Sequence, residues 1–147
     1  MKKVRNNVTA INNKGSLDEK IIYEAGKNNP DDIICLMAPD FSIECFDNNI
    51  ELKNTCIVDL SRNRLTTLHG LWNIMPQAWW IDVSKNSIND FGPPSMIPKC
   101  IGKLELYGNS GITSDAISKL CTTHILRLGL KYIPNMLFKS HEECINY

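Results

Sequence analysis

Three carboxylate residues recur along the sequence at intervals of 23 residues. They are Asp59, Asp82 and Glu105, and each stands between two aliphatic residues. Paired carboxylates can supply a general acid and a general base when they lie in a pocket that gives them different surroundings. No nucleophile paired with a base accompanies them, and a shallow sheet seldom forms such a pocket. The sequence therefore predicts that the protein is not an enzyme.

Histidine and cysteine residues are the other candidates for chemistry. Cys121, His124, His141 and Cys144 lie close together near the end of the sequence, but their spacings match no common zinc-ligand pattern. The remaining histidine, His69, is predicted to lie in a turn. The sequence predicts no metal site and no cofactor.

The distribution of the cysteines also indicates the cellular compartment of the protein. Six cysteines are scattered along the chain without a C-x-x-C pair. This scatter favours reduced, mostly buried thiols in a cytosolic protein. The first residues lack the apolar core of a secretory signal, and no stretch has the length and apolar character of a membrane span. We expect a cytoplasmic protein that does not bind a membrane.

The overall charge narrows the choice of partner. The chain of 147 residues carries 16 basic and 16 acidic residues, so its formal net charge is zero. A neutral chain has no global field that attracts phosphate backbones or anionic lipids. Nucleic acid is therefore disfavoured as a direct partner. The hydrophobic fraction of 43% is sufficient for the core of one domain.

The carboxylates belong to a repeated stretch of sequence. Residues 56–68 and 79–91 share one pattern, in which two aliphatic residues stand two apart and an asparagine follows three positions later. The asparagines Asn63, Asn86 and Asn109 are 23 residues apart. This is the pattern of a leucine-rich repeat, a short strand followed by a turn. We expect the three asparagines to form a structural ladder by binding backbone groups that the turns leave unpaired.

The repeat pattern predicts an α/β fold, a right-handed horseshoe-shaped solenoid of about five coils. The repeats are expected over residues 33–133, between an N-terminal capping helix at about 16–26 and a C-terminal cap at 134–147. Residues 1–15 are predicted to be a polar arm, and residues 16–147 a single leucine-rich repeat domain.

Two helices are predicted from local signals. Ser16 and Glu19 form a capping box that would begin the N-terminal helix. The second helix is expected over residues 112–120, because Ile112, Ile117 and Leu120 have the spacing of one buried helix face.

The outward-pointing strand residues would line the concave face, which is the usual binding surface of a solenoid. Exposed tryptophan and tyrosine ringed by charge are typical of an interaction hot spot. Ser61 and Ser84 are expected on the same face, and Arg127 in one row with the three carboxylates. The predicted partner-binding residues are Asp59, Asp82, Glu105, Trp80, Tyr107, Arg62, Lys85 and Arg127. In the alternative interpretation, Asp59 and Asp82 are solvated strand residues that Arg62 and Lys85 neutralise.

The chain resembles the intracellular leucine-rich repeat family over about residues 33–133. The segments Asp59–Asn63 and Ile81–Asn86 are similar to the short-repeat class, whose period is 22–23 residues. That class includes a protein phosphatase regulatory subunit, the leucine-rich axonemal dynein light chain, a spliceosomal branch-site snRNP protein and several small ciliary proteins. Trp80–Asn86, followed by Leu106–Asn109, is most similar to the ciliary members.

The resemblance implies a non-enzymatic adaptor or structural subunit that binds protein partners within a larger assembly, with the cytoskeleton or cilium as its location. Two alternatives remain open. One is a regulatory subunit that docks on an enzyme such as a protein phosphatase, and the other is an snRNP-type subunit that holds an RNA-binding partner. Under each of them the direct partner is a protein and no small-molecule substrate is expected.

Overall fold

A computed structural model describes residues 15–17, 29–121 and 127–129. The predicted α/β class is confirmed, and the described strands pair in parallel in two sheets. The strands are β1 (Ser16–Leu17), β2 (Cys35–Met37), β3 (Cys45–Phe46), β4 (Ile57–Asp59), β5 (Trp80–Asp82), β6 (Lys103–Glu105) and β7 (Arg127–Gly129). The helices are α1 (His69–Ile74) and α2 (Ser114–Cys121), with 3-10 turns at Pro30–Asp32 and Pro94–Met96.

The larger sheet has the strand order β2-β4-β5-β6-β7. Its first row of paired residues is Cys35, Ile57, Trp80, Lys103 and Arg127. Successive strands are thus offset by 22, 23, 23 and 24 residues, which is the period of the sequence repeat. Parallel neighbours require a crossover connection, and here each repeat supplies one.

The middle residue of each of the first four strands of this sheet is buried. These residues are Leu36, Val58, Ile81 and Leu104. Because successive side chains of a strand point to opposite faces, the residues on either side of them lie on the other face, where they are half-buried. One face of the sheet therefore covers the core, and we call the opposite one the outer face.

Helix α1 packs its apolar residues into the same core. Leu71, Trp72 and Ile74 are buried, and the Nε1 of Trp72 donates a hydrogen bond of 2.6 Å to the carbonyl oxygen of Phe91. The prediction that His69 lies in a turn is wrong, since His69 is the first residue of this helix. Its N-cap residue, Leu68, has no polar side chain to cap the helix, and the hydroxyl of Thr67 instead accepts a hydrogen bond of 3.1 Å from the amide of His69.

Helix α2 forms where the second helix was predicted. Ile117 and Leu120 are buried, as the helical spacing requires, and Ile112 is buried just before the helix begins. The hydroxyl of Thr113 accepts a hydrogen bond of 3.2 Å from the amide of Ala116, which satisfies one of the free N–H groups in the first turn.

The start of the domain differs from the prediction. Ser16 and Leu17 form strand β1, which pairs with β3, so the capping box does not begin a helix at Ser16. Leu17 is fully buried, and its carbonyl oxygen accepts a hydrogen bond of 3.1 Å from the amide of Asp47. The pairing with β3 and this nonlocal bond hold the segment in an extended conformation. Residues 18–26 of the predicted helix, residues 1–14 of the arm and the cap at 134–147 lie outside the described residues.

The last strand corrects the predicted position of Arg127. Arg127 pairs with Lys103, and Gly129 pairs with Glu105. The prediction that Arg127 shares a row with the three carboxylates is therefore wrong by two residues along the strand. The offset between β6 and β7 is 24 residues, one more than in the two preceding pairs, and the connection between these strands contains α2.

Candidate functional site

The outer face is held in position by asparagines that follow the central strands. Asn63 is a good example, because its side chain bonds to two turns at once. Its Oδ1 accepts hydrogen bonds from the amides of Phe41 at 3.0 Å and Ile43 at 2.9 Å. Its Nδ2 donates to the carbonyl oxygens of Ala38 at 2.9 Å and Leu60 at 2.8 Å. The side chain thus satisfies backbone groups of its own turn and of the preceding one.

Asn86 and Asn109 repeat this arrangement at the next two turns. The Oδ1 of Asn86 accepts from the amide of Leu65 at 2.9 Å, and its Nδ2 donates to Leu60 at 3.0 Å and Val83 at 2.9 Å. Asn109 in turn donates to Val83 at 3.0 Å. Both side chains are buried, so each bond replaces one that water would make. These contacts lock neighbouring strands in register, and the outer-face residues align as a result.

The residue just before each asparagine has a left-handed backbone. The φ angles are 56° at Arg62, 54° at Lys85 and 74° at Gly108, and Asp40 has a φ of 63° at the equivalent position before Phe41. A left-handed conformation costs a non-glycine residue about 1–2 kcal/mol, and the surrounding turn must over-determine it. The side chains of Arg62 and Lys85 are exposed at the end of their strands as a consequence.

Two carboxylates of the predicted ladder are fixed by their own turns. The Oδ1 of Asp59 accepts a hydrogen bond of 2.9 Å from the amide of Ser61, and the Oδ1 of Asp82 accepts one of 2.9 Å from the amide of Ser84. Asp59 pairs with Asp82 across the strands, so the two carboxylates stand side by side in matching orientations. Their matching surroundings do not provide the difference that an acid and a base require.

The third carboxylate, Glu105, has a basic neighbour on the same strand. Its Oε1 lies 2.6 Å from the Nζ of Lys103, and that Nζ lies 6.0 Å from the ring centroid of Trp80. An ammonium at this distance from an indole ring is at the limit of a cation–π contact. Trp80, Lys103 and Glu105 therefore form a connected group on strands β5 and β6.

Arg62 forms its ion pair with Asp40, whereas the alternative interpretation paired it with Asp59. Its Nε donates to the two carboxylate oxygens of Asp40 at 2.9 and 2.8 Å. The hydrogen bond to Asp40 is the main reason why the pKa of Arg62 is raised, with the charge of Asp40 second and a smaller contribution from Asp59. Lys85, the other predicted counterion, makes no ion pair within the part of the chain that the structure describes.

The predicted exposure of two serines is also wrong. Ser61 and Ser84 were expected among the outward residues, but both are buried. Their small side chains stand just beyond the strand ends, where the turn closes over them. The hydroxyl of Ser84 has no hydrogen-bond partner among the described residues, although it is fully buried.

Sequence analysis missed two exposed apolar residues that lie just before strands of the larger sheet. Trp79 is 49% exposed and Ile34 is 46% exposed, and each directly precedes a strand. Strand alternation would turn Trp79 inward, because it stands two residues before the buried Ile81. The strand begins only at Trp80, so this alternation does not yet apply. A Cβ built at Gly102 would lie 3.2 Å from the ring of Trp79, which therefore rests close to the Gly102 backbone.

The structure also contains a cleft of about 630 Å³, which is lined by residues 89–94, by helix α2 and by His69. His69, Asp90, Asp115 and Lys119 contribute its charged and titratable lining. Asp90 is already engaged, because its carboxylate accepts from the amide of Gly92 at 3.0 Å and from the hydroxyl of Thr67 at 3.1 Å.

The remaining candidates for chemistry were cysteine and metal sites. The described residues contain no group of three or more His, Cys, Asp or Glu side chains arranged for a metal ion. The cluster of His124, His141 and Cys144 lies outside those residues. The cysteines at 35, 45, 56 and 100 are half-buried or exposed, so the prediction of mostly buried thiols is wrong for them. Aliphatic residues occupy the inward positions instead.

Neither described helix has the length and apolar character needed to cross a membrane.

Comparisons with known proteins add no relative. No protein-family model, curated protein or solved structure matches the chain.

Proposed function

We propose that this chain is a leucine-rich repeat solenoid and that its outer face, the concave face of that fold, binds a protein partner. In this role the chain is a non-enzymatic adaptor or structural subunit of a larger assembly. The observation that carries the proposal is the contrast between the two faces of one sheet. The core face repeats aliphatic residues, while the outer face aligns Trp80, Asp82 and their neighbours in rows.

The turns at Asn63, Asn86 and Asn109, which we call the asparagine corners, support the fold assignment. Each corner recurs one sequence period after the last and bonds to the turn before it. This is the relation expected when identical turns stack. The sheet order, in which each described strand of the five-stranded sheet neighbours the strands one repeat away, points in the same direction.

The composition of the outer face supports protein binding. Trp80 and Tyr107 are half-buried, so each retains surface that a partner can cover. Charged groups surround them, in the arrangement of an aromatic anchor with a polar rim. Trp79 adds exposed aromatic surface at the edge of the same sheet.

The test is affinity purification of the full chain, with recovered proteins quantified by mass spectrometry. The variant Asp59→Lys with Asp82→Lys places two cations on the outer face. If one desolvated contact is broken, we expect recovery of the specific partner to fall about tenfold or more. The control is the single charge reversal Asp115→Lys, because Asp115 is an exposed carboxylate on α2.

The outcome is read only for variants whose circular dichroism and unfolding midpoint match those of the wild type. Equal partner recovery with the outer-face variant and with the control would contradict binding through this face.

A further inference from the structure

We propose that the cleft beside α2 binds an extended peptide segment of a partner protein, which adds as a parallel strand next to residues 89–91. This inference goes beyond the proposed function, because none of the residues predicted to bind a partner on the outer face lines the cleft. It depends on a series of backbone contacts that stops at the cleft and on two backbone groups that have no partner there.

The series of contacts joins the segments that follow the turns. Its members lie four residues after an asparagine corner, or after Phe41, the equivalent residue of the first repeat. At these positions Cys45 of β3 pairs with β1, and Thr67 forms a parallel bridge with Asp90. Extended segments therefore lie side by side here as well as in the larger sheet.

The series stops after Asp90. The equivalent residue of the next repeat is Thr113, which directly precedes α2. Gly111 still packs against the preceding repeat, since a Cβ built there would lie 3.2 Å from the Cβ of Asn89. Within the described chain, no backbone hydrogen bond joins residues 111–115 to residues 87–94. The cleft thus opens where a further extended segment would otherwise lie.

Two backbone groups are left without a partner at this edge. The carbonyl oxygen of Asp90 accepts a bond of 3.0 Å from the amide of Leu68, in the preceding repeat. The carbonyl oxygen of Asn89 and the amide of Phe91 make no hydrogen bond to any described residue. Phe91 is buried, and unpaired amides of buried residues are rare in proteins.

The positions of these two groups match one residue of an added strand. In a parallel ladder, a residue bonds to the carbonyl before and the amide after the residue opposite. Asn89 and Phe91 supply such a pair, on either side of Asp90, and all three residues line the cleft. A partner that adds a strand to an open edge uses this kind of main-chain bonding.

The protein already covers one edge of the series with a short segment. Strand β1 has only two residues, yet it pairs with both residues of β3. The carbonyl oxygen of Gly15 accepts from the amide of Cys45 at 3.2 Å, and that of Leu17 accepts from the amide of Asp47 at 3.1 Å. Leu17 is fully buried. Three residues with one apolar side chain are therefore enough to occupy such an edge.

The size and lining of the cleft suit a peptide of this kind. Its volume of about 630 Å³ lies within the range of ligand-binding clefts, about 300–1,000 Å³. Phe91, Pro94 and Ala116 contribute apolar lining, whereas Asp115 and Lys119 have opposite charges. We therefore expect the bound segment to direct apolar side chains, rather than charges of one sign, into the cleft.

The experiment selects random displayed peptides on the full-length protein and on the Ala116→Arg variant. Ala116 is half-buried and lines the cleft, so an arginine at this position would fill part of it. Ser118→Arg is the matched control, because Ser118 is exposed on the same helix and is not among the lining residues. We expect peptides that bind the wild type and the control but lose binding to Ala116→Arg.

The best peptide is then synthesised with one N-methyl group at each position in turn and measured on the wild type by fluorescence polarisation. N-methylation removes one backbone donor. Because alternate residues of a strand bond to a given neighbour, the Kd should rise about fivefold or more at alternate positions and less than about twofold between them. Hydrogen exchange of the Phe91 amide, followed by NMR, should slow about tenfold or more in the complex.

Three results would overturn the inference. They are a selection without peptides that Ala116→Arg excludes, an N-methyl series without alternation, and a Phe91 amide whose exchange the peptide does not slow. The last two measurements use the wild type, so they decide the matter even if Ala116→Arg does not fold. The Asp59→Lys, Asp82→Lys variant should bind this peptide normally, so failure at the cleft and failure at the outer face are separate results.

Discussion

The core face and the outer face of the same sheet follow opposite rules. On the core face, Val58, Ile81 and Leu104 are all aliphatic and fully buried. One residue further along each of these strands, the outer face carries charge, and Trp80 and Lys103 share a row with Ile57. Repetition therefore marks the side that holds the strands together, and variation marks the side that we propose binds a partner. Substitutions on the two faces should differ in kind as well as in size.

The largest loss of stability is expected on the core face. Ile81→Ala removes a fully buried side chain and leaves a cavity, so the free energy of unfolding should fall by about 2–5 kcal/mol. Lys103→Ala, on the outer face of the next strand, breaks a partly exposed ion pair and should change it by about 1 kcal/mol or less. Chemical denaturation of both variants measures the difference. Equal losses would remove the distinction between the faces.

The next largest loss of stability is expected at the asparagine corners. Asn86→Ala leaves the amide of Leu65 without its acceptor in a buried site, and the carbonyl oxygens of Leu60 and Val83 each lose one of two asparagine donors. We expect a loss of about 2–3 kcal/mol, since an orphaned buried group is costly. Asn73→Ala is the control, because Asn73 is exposed on α1 and should change stability by less than about 0.5 kcal/mol. A small effect at Asn86 would mean that water enters the corner.

A substitution at the left-handed residue before an asparagine corner should cause an intermediate loss of stability. Gly108→Ala forces a side chain into a backbone with a φ of 74°, and its Cβ would lie 3.3 Å from the amide nitrogen of Lys85. The expected loss is about 1–2 kcal/mol. Ser110→Ala, at an exposed position nearby, should have little effect in the same thermal or chemical unfolding experiment. A Gly108 variant as stable as the wild type would show that the turn adjusts its backbone.

The smallest effect on stability is expected for the outer-face carboxylates. Asp82→Ala loses the acceptor for the amide of Ser84 and should cost about 1 kcal/mol, whereas Asp82→Asn keeps that acceptor and should cost less than half of this. Unfolding of the two variants in urea tests the order. If they lose equal stability, the negative charge rather than the hydrogen bond maintains the turn.

The sequence predicted those features that repeat. The α/β class and the alignment of Asp59 with Asp82 follow from period and alternation, and helix α2 follows from the helical spacing of its apolar residues. Helix α1 did not follow, because its N-cap residue is the apolar Leu68 and its stability comes from burying Leu71 and Trp72. Tertiary packing overrode the weak local signal in this segment.

The errors at the candidate site have the same origin. Ser16 carries a helix-start signal, but its segment forms a strand that pairs with β3. The row position of Arg127 depended on an assumed offset, and the last pair of strands uses a longer one. The exposure of Trp79 depends on where the strand begins, and alternation alone does not determine that residue. Contacts between distant segments decided all three.

Because each asparagine bonds to two turns, one whole repeat can be removed while the bonds between the remaining turns are kept. Asn63 donates to Ala38 and Leu60, and Asn86 donates to the equivalent pair, Leu60 and Val83. An in-frame excision of residues 61–83 would bring Asn86 to the place that Asn63 leaves, where it meets acceptors of the same kind. A gene that encodes such a protein can therefore lengthen or shorten by whole units without rewriting the junctions between them.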